Sequence, residues 1–217
     1  MRIKWNGHAS FTITAQDGTV IVTDPYESGS FGGGIAYDPV DDRADVALVS
    51  HDHADHNFVK SLKGNPAVLK TSGKVKGLEF TGIETAHDEK GGKERGQNMA
   101  FVFTVDGVRV AFMGDLGHLL SDAQLKALGQ VDLLLAPIGG VFTIDPDNAA
   151  RLVDQVKPKL MIPMHFKTGK CGFPLAHADD FAKRMTKVKR LGQTEIEIGQ
   201  DKLPVSGPEI WILEHAR

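Results

Sequence analysis

The residues best suited to chemistry lie in one short run, His51-Asp52-His53-Ala54-Asp55-His56. Three imidazoles and two carboxylates occupy these six positions. Imidazole suits zinc, iron, nickel and copper, whereas carboxylate suits harder ions, so the mixture favours a transition-metal site. Successive side chains point to opposite faces of an extended chain, so the backbone must turn here for the adjacent residues Asp55 and His56 to converge with the others. A solvated polar turn that binds no metal is the alternative interpretation.

Several predicted strands end in a polar residue that could join this run. The run itself follows an apolar stretch over residues 45–50. Three further polar residues lie at the ends of apolar runs: His87 after residues 82–86, Asp115 after residues 110–114 and His165 after residues 160–164. Each apolar run predicts a buried strand. Any one such residue alone is more often a structural loop residue, but together they indicate one metal site assembled from several strands.

The rest of the sequence predicts a single sheet-based domain that would position these residues. The pair Asp106-Gly107 joins predicted strands 98–105 and 108–113 in a hairpin. Helices are predicted over residues 57–62, 119–128, 147–156 and 177–191, with Asp145 capping the third and Pro146 as its first residue. No linker or shift in composition divides the chain, so residues 1–217 are expected to form one domain of the α/β (α+β) class.

Composition and charge exclude several classes of protein. The hydrophobic share of 41% and the charged share of 24% are ordinary for a globular domain. A net charge of −3 gives no general attraction to nucleic acid or to an acidic membrane. No stretch reaches the roughly 18 apolar residues of a membrane span, and the N-terminus lacks the apolar core of a signal peptide. The single cysteine, Cys171, excludes an internal disulfide, so a cytoplasmic protein is expected.

The ordered set of polar residues resembles the metal-binding motifs of the metallo-β-lactamase superfamily. It runs as His51-x-His53-x-Asp55-His56, then His87, then Gly114-Asp115, then His165. Asp24, within Thr23-Asp24-Pro25, matches the first motif of that superfamily. Finer details are similar to a small branch that also resembles the ascorbate-phosphate lactonases: Gly7-His8-Ala9, Gly114-Asp115-Leu116-Gly117-His118 and Pro163-Met164-His165.

The resemblance implies a four-layer αββα sandwich, in which helices flank two mixed β-sheets and the site lies at one end. It also implies two divalent metal ions, with zinc expected first and manganese, iron, nickel or cobalt left open. The implied ligands are His51, His53 and His87 for one ion, Asp55, His56 and His165 for the other, and Asp115 between them. Flavodiiron members of the superfamily usually carry glutamate at the position of His53, so this set points to hydrolysis rather than redox chemistry.

Two such ions would generate hydroxide at neutral pH for attack on a carbonyl or phosphorus centre. Asp55 is the catalytic residue implied by the resemblance, orienting the nucleophile or taking its proton. His8 is a second catalytic candidate that would contact metal or substrate, the alternative being a capped surface histidine. Asp24 is expected to accept a hydrogen bond from a ligand imidazole, unless it is only a turn residue before Pro25. His118 is a further candidate for supporting the ligands.

Substrate-side features are less informative. The glycine-rich loop over residues 27–34 lacks the ending of a phosphate-binding loop and is expected to be a mobile rim. In the loop over residues 87–96, Lys93 or Arg95 could meet a phosphate, although a solvated loop is the simpler interpretation. The basic run over residues 183–190 is expected to be a solvated helix face, with nucleic-acid contact as the alternative.

The function predicted first is a dinuclear metal-dependent hydrolase of a small ester, lactone or phosphoester. A nuclease or phosphodiesterase acting on RNA or nucleotides is the second prediction, which the acidic pI of about 6.3 disfavours. A non-catalytic metal-binding protein is the third, and the complete ligand set stands against it. The expected partner is a small-molecule substrate, without membrane or nucleic acid. The sequence leaves open whether the chain forms a homo-oligomer.

Overall fold

Two mixed β-sheets form the body of the protein, and the computed structural model describes residues 1–217. The strands of the first sheet are β1 (Arg2–Gly7), β2 (Ser10–Thr14), β3 (Val20–Thr23), β4 (Val46–Leu48), β5 (Ala67–Leu69) and β13 (Glu195–Glu197). The strands of the second are β6 (Gly73–Val75), β7 (Leu78–Ala86), β8 (Gln97–Val105), β9 (Val108–Phe112), β10 (Leu133–Pro137), β11 (Leu160–Met164), β12 (Val188–Arg190) and β14 (Glu209–Ile212). The spatial orders are β13-β1-β2-β3-β4-β5 and β12-β14-β11-β10-β9-β8-β7-β6.

The strands that lead into the candidate site residues share a direction within each sheet. In the first sheet, β3 and β4 are parallel, and β1 runs the same way because β2 lies antiparallel between β1 and β3. In the second sheet, β7, β9, β10 and β11 likewise run together. These strands are followed within a few residues by His8, Asp24, His51, His87, Asp115 and His165. The topology therefore delivers residues distant in sequence to one end of the sandwich.

The two sheets pack on a shared hydrophobic core. One contiguous cluster of 48 buried residues joins side chains of the first sheet, such as Trp5 and Phe11, to side chains of the second, such as Phe101 and Phe112. All five residues of β10 (Leu133–Pro137) are buried, as expected for a parallel strand covered on both faces. The core holds the strand ends in fixed relative positions, which a site assembled from several strands requires.

Four α-helices and two 3₁₀ turns accompany the sheets. The helices are α1 (Ser30–Gly33), α2 (Asp122–Leu128), α3 (Pro146–Val156) and α4 (Ala178–Ala182), with 3₁₀ turns at Val59–Ser61 and Gln200–Lys202. Leu152 of α3 and Phe181 of α4 belong to the shared core. A second cluster of ten buried residues, including Val22, Tyr26 and Tyr37, joins the first sheet to the loops beside it. None of the helices is long and apolar enough to span a membrane.

Two local sequence predictions are confirmed in detail. The hairpin of β8 and β9 turns at Asp106 and Gly107, whose φ angles of 50° and 78° are both positive, as a tight two-residue hairpin turn requires. Helix α3 begins at Pro146, and the Asp145 carboxylate accepts a hydrogen bond of 2.8 Å from the Asn148 backbone N–H. The predicted class of two mixed sheets with helices is also confirmed.

The predicted helix over residues 177–191 is wrong. Helix α4 ends at Ala182, and the chain then forms β12 (Val188–Arg190) at the edge of the second sheet. There Val188 pairs with Ile210 and Arg190 with Ile212. The available edge of β14 overrides a helical pattern whose second half contains β-branched residues. The basic run over residues 183–190 therefore does not lie on a helix.

Two further predicted helices are shorter than expected. The one over residues 57–62 is reduced to the 3₁₀ turn Val59–Ser61. The one over residues 119–128 begins only at Asp122, because Ser121 and Gln124 form a capping box that fixes its start. The turn after the histidine run is therefore made by irregular backbone rather than by a helix.

The cap of α3 yields a stability prediction. Asp145→Ala removes the acceptor of the Asn148 N–H, and we expect the free energy of unfolding to fall by about 1 kcal/mol. Urea unfolding followed by circular dichroism measures this free energy of unfolding. Asp154→Ala is the matched control, since Asp154 is exposed on the same helix and forms no ion pair. An equal loss in both variants would contradict the capping role.

Candidate metal centre

The histidines and aspartates at the strand ends form two separate groups of possible metal ligands, and a third group, Asp24 with His51 and His56, overlaps both. In each group the ligand atoms lie within 4.8 Å of one another. The first group contains His51, His53 and His87, and the second contains His8, Asp55, His56 and His165. The first is more open, with His53 exposed, whereas every member of the second is buried. These two groups thus draw on four separate segments of the chain: His8, the run over residues 51–56, His87 and His165.

Asp115 lies between the two groups. Its Oδ2 atom is 3.2 Å from His87 Nε2 in the first group, and 3.2 Å and 3.3 Å from His56 Nε2 and His165 Nε2 in the second. The preceding Gly114 has φ 53°, and a Cβ there would lie 2.4 Å from Asn98 Oδ1, so only glycine fits. Asn98 Oδ1 accepts the Asp115 N–H at 2.8 Å, which fixes the start of this loop.

A buried carboxylate, Asp24, holds the histidine run from behind. It accepts hydrogen bonds from His56 Nδ1 at 2.8 Å, from Ser50 Oγ at 2.6 Å and from the Ser50 N–H at 2.8 Å. Ser50 Oγ in turn accepts from His51 Nδ1 at 2.8 Å. Both imidazoles therefore direct Nδ1–H towards these partners and turn Nε2 towards the cluster, where it is placed to coordinate a metal ion.

The donor atoms that face the cluster fit a metal ion. His87 Nδ1 donates to the Phe142 carbonyl at 3.0 Å, so its Nε2 is also free to coordinate. The atoms His51 Nε2, His56 Nε2 and Asp115 Oδ1 are buried and have no hydrogen-bond partner. Buried polar atoms without partners are rare in native proteins because each costs about 1–3 kcal/mol. Their convergence is what a site for a transition-metal ion requires.

Charges in the cluster are strongly coupled. Burial opposes ionisation of Asp115, but the charges of His165 and His56 outweigh it and hold the pKa of Asp115 well below its usual range. Burial likewise opposes protonation of His56, yet Asp115 and Asp55 raise its pKa well above the ordinary value. Asp115 thus stays ionised and attracts positive charge, whether protons or cations supply it.

His8 lies inside the second group rather than on the surface. It is 1% exposed, its Nε2 is 3.1 Å from Asp55 Oδ2, and its ring centroid is 4.0 Å from that of His165. Its carbonyl accepts the backbone N–H of His165 at 3.0 Å, which ties the first strand to β11. Burial, helped by the charge of His165, lowers the pKa of His8 to about 4, so the imidazole is neutral at pH 7.

His118 does not contact any candidate ligand side chain. Its Nε2 accepts the Ala86 N–H at 3.0 Å and its Nδ1 donates to the Leu119 carbonyl at 2.8 Å. It is therefore connected to the cluster only through the backbone next to His87. Ser50 and Asn98, by contrast, contact the ligand set directly and were not identified from the sequence. The position of Ser50 directly before the histidine run could have indicated its role from the sequence, whereas nothing in the sequence around Asn98 indicates one.

A cavity of about 240 Å³ opens above the cluster. Its floor contains His53, Asp55, His87, Asp115 and His165, and its rim contains Phe31, Arg95, Phe142 and Phe173. The loops over residues 27–34 and 87–96, which held no diagnostic residue at the sequence level, thus supply Phe31 and Arg95. Lys93 does not line the cavity.

Unusual backbone conformations concentrate around this cavity. Nine non-glycine residues have positive φ; four of them, His8, Asp24, Phe31 and His165, belong to the cluster or its rim, and a fifth, Val141, precedes the rim residue Phe142. Such conformations cost on the order of 1–3 kcal/mol each and persist where surrounding contacts enforce them. Strain of this kind is typical of functional sites and has no signature in the sequence.

The basic run over residues 183–190 is largely neutralised. Lys183, Arg184, Lys189 and Arg190 form ion pairs with Asp180, Asp147, Glu209 and Asp179 respectively. Lys187 donates instead to Ser206. These pairings leave no continuous cationic face of the kind that binds nucleic-acid phosphates.

Sequence comparisons identify the family of the chain. A model of the β-lactamase superfamily domain matches residues 2–165. A metal-dependent hydrolase of Nitratidesulfovibrio vulgaris is 32% identical over 195 residues, covering 77% of this chain and 80% of that protein. A metal-dependent hydrolase of Archaeoglobus fulgidus is 30% identical over 215 residues, covering 84% of this chain and 90% of that protein.

A solved structure agrees with the sequence comparisons. A protein of Thermotoga maritima, named as a Zn-dependent hydrolase of the metallo-β-lactamase superfamily, matches with a TM-score of 0.79 at 33% identity, covering 98% of this chain and 97% of that one. The finer resemblance to the ascorbate-phosphate lactonases has no counterpart in these relatives and stays a prediction. With this fold, this ligand cluster and these relatives, the chain belongs to the metallo-β-lactamase superfamily of metal-dependent hydrolases.

Proposed function

We propose that this protein is a dinuclear hydrolase of a small ester, lactone or phosphoester. The observation that carries the proposal is the position of Asp115, whose Oδ2 lies within 3.3 Å of imidazole nitrogens in both ligand groups. Zinc is the ion expected first, because the set is made of imidazoles and carboxylates; manganese, iron, nickel and cobalt are compatible with the same donors.

The ligand groups divide between the two ions as follows in this proposal. One ion would be held by His51, His53 and His87, and the other ion by Asp55, His56 and His165. Asp115 would contribute a ligand atom to both. Bound divalent ions would supply Lewis-acid chemistry, polarising a carbonyl or phosphoryl group and acidifying water at neutral pH. Asp24 would keep the Nε2 atoms of His51 and His56 available by holding the proton of each ring on Nδ1.

Asp55 and His8 would prepare the nucleophile. Burial opposes ionisation of Asp55, but the charge of His56 and the hydrogen bond with His8 keep its pKa well below the usual range. An ionised Asp55 can accept a hydrogen bond from an attacking water and so orient it, or take its proton. Neutral His8 can donate its Nε2 proton to Asp55 Oδ2 across 3.1 Å, which makes His8 a positioning residue for that carboxylate.

A small molecule is favoured over RNA as the substrate. The cavity of about 240 Å³ is below the range of about 300–1,000 Å³ that drug-sized ligands occupy. The basic residues that could have formed an RNA-binding face are instead paired with Asp147, Asp179, Asp180 and Glu209. The same observations support a soluble small-molecule substrate as the partner, and a cytoplasmic location is part of the proposal.

Of the predictions that follow from this proposal, the first concerns metal content. Protein purified from a metal-supplemented culture should contain about two equivalents of divalent metal per chain by plasma mass spectrometry, as the two ligand groups require. His53→Ala should lose at least one equivalent. His177→Ala is the matched control, because His177 is exposed and belongs to neither ligand group. Wild-type protein that binds no metal would refute the proposal.

The second prediction concerns the residue behind the ligands. Asp24→Asn keeps the shape of the side chain but weakens its hold on His56 and Ser50, so the dissociation constant for zinc should rise about 10–100-fold in a chelator competition. Asp52→Asn is the control within the run itself, since Asp52 is exposed and pairs with Lys70. Equal zinc affinity in the two variants would exclude the role assigned to Asp24.

The third prediction separates a hydrolase from a silent metal binder and from a nuclease. The metal-loaded protein should hydrolyse model aryl esters, lactones or phosphodiesters, and should lose and regain activity with chelation and metal replacement. RNA binding should be absent even at low salt, where electrostatic binding is strongest. Bound metal without turnover of any model substrate would support the non-catalytic alternative, and salt-dependent RNA binding would support the nuclease.

A further inference from the structure

The rim of the cavity has a chemical character that the metal cluster does not determine. We infer that this site selects a small substrate carrying both an apolar ring or chain and an anionic group, a carboxylate or a phosphate. The inference rests on the proposed hydrolase function and specifies its substrate class. Phe31, Phe142 and Phe173 would contact the apolar part, and Arg95 would bind the anion.

Three phenylalanines form one aromatic wall. Phe173 is at its centre, with ring centroids 5.5 Å from Phe31 and 5.4 Å from Phe142 in edge-to-face geometry. Phe31 is 58% exposed, and Val141 beside Phe142 is 52% exposed. Four large hydrophobic residues of the chain are exposed; one of them, Phe31, lines this opening, and Val141 precedes the lining residue Phe142 in the chain. Apolar surface concentrated at the mouth of a cavity is typical of a ligand contact.

The aromatic wall is held in place before any ligand binds. The Gly172 N–H donates to the Gly34 carbonyl at 2.8 Å, which joins the loop of Phe31 to the loop of Phe173. Lys167 Nζ donates to the Phe173 carbonyl at 2.9 Å. A Cβ at Gly34 would lie 2.9 Å from the Phe173 ring, so this close approach needs glycine. Preorganised apolar walls lose little conformational entropy on binding.

Arg95 is the one lysine or arginine that lines the cavity. Its guanidinium lies 5.6 Å from the centroid of Phe142 and forms no ion pair with any carboxylate. A guanidinium stacked on a ring keeps its edge N–H donors free for bidentate contact with a carboxylate or phosphate. An unpaired cation at the opening of a site is therefore a ready contact for an anionic substrate.

The loop that carries Arg95 is folded around one carboxylate. Asp88 accepts four backbone hydrogen bonds of 2.7–2.9 Å, from the N–H groups of Lys90, Gly92, Glu94 and Arg95. Asp88 follows His87 directly, so the loop starts at the metal cluster and returns Arg95 to its rim. This arrangement fixes the backbone of Arg95 relative to His87, so the guanidinium is carried close to the candidate metal cluster.

The size of the cavity limits what can bind. A cavity of about 150 Å³ is enough for benzene, so about 240 Å³ accepts one ring or a short chain together with a small anionic group. In the inferred orientation the scissile bond lies at the cluster, the apolar part lies against the phenylalanines and the anion reaches Arg95.

The test compares esters that differ in the charge of the distal group: 4-acetoxyphenylacetate, its neutral amide 4-acetoxyphenylacetamide, and 4-acetoxybenzylphosphonate. For the metal-loaded wild type we expect kcat/KM at least about tenfold higher for one of the anions than for the amide. The carboxylate and phosphonate arms identify which anion is taken. Arg95→Gln should abolish the preference. Lys93→Gln, the matched control that removes a cation from the same loop outside the cavity, should keep it.

Binding of the product makes the test independent of turnover. Calorimetric titration with 4-hydroxyphenylacetate and 4-hydroxyphenylacetamide measures the same discrimination without hydrolysis. Arg95-dependent binding of the anion without hydrolysis of any ester would refute the hydrolase and keep the recognition inference. Equal rates for anion and amide, or a preference that survives Arg95→Gln, would overturn the inference and keep the hydrolase. Neither binding nor hydrolysis would overturn both.

The aromatic wall is tested separately. Phe31→Ala should lower kcat/KM for all three aryl esters about tenfold, because a phenyl contact is lost. Val205→Ala is the control, since Val205 is also exposed but does not line the cavity. Metal content should be unchanged in both variants, which separates loss of substrate contact from damage to the cluster. Unaltered kinetics of Phe31→Ala would remove this residue from the site.

Discussion

The buried carboxylate of Asp24 is the constraint on which the candidate metal centre depends. Burial raises the pKa of Asp24, because withdrawing a carboxylate from water costs several kcal/mol even after the protein relaxes. Hydrogen bonds from His56 and from the backbone and hydroxyl of Ser50 offset this cost. Each of these donors lies in or beside the histidine run, so satisfying Asp24 also folds the run. His51 and His56 face one cluster because both are tied, directly or through Ser50, to the same carboxylate.

Parallel strands bring the remaining candidate ligands to the same end of the sandwich. Strand geometry alone would not direct all of their side chains into the cluster. An extended chain sends successive side chains to opposite faces. At His8 and His165 the backbone instead adopts φ near 52°, which turns each residue out of its strand and into the cluster. The shared core beneath, with residues of both sheets in one cluster, resists relaxation of that strain. Packing of the sandwich and strain at the site are thus parts of one arrangement.

This division explains what the sequence could and could not predict. His87, Asp115 and His165 were identifiable because each follows an apolar run, and such a run can be recognised from the local sequence alone. Asn98 was not identifiable, because its role depends on β8 lying between β7 and β9. The helix predicted over residues 177–191 failed for a related reason: the open edge of β14 is visible only once the sheet exists. Phe173 reaches the cavity because an isolated β-bridge pairs Ile35 with Cys171, which are 136 positions apart in the chain. No local sequence pattern predicts such a pairing.

The cluster and the rim therefore carry different information about function. The candidate ligands fixed by strand ends and by Asp24 favour a type of reaction, and the same arrangement can serve many substrates on a shared fold. Phe31 and Arg95 come from loops whose own anchors, the pairing of Gly34 with Gly172 and the carboxylate of Asp88, are separate from the anchors of the metal ligands. Such loops can change without disturbing Asp115 or the histidines. A substrate assignment for this protein must accordingly be argued from the aromatic wall and the unpaired guanidinium, because the metal ligands alone would be compatible with a different rim.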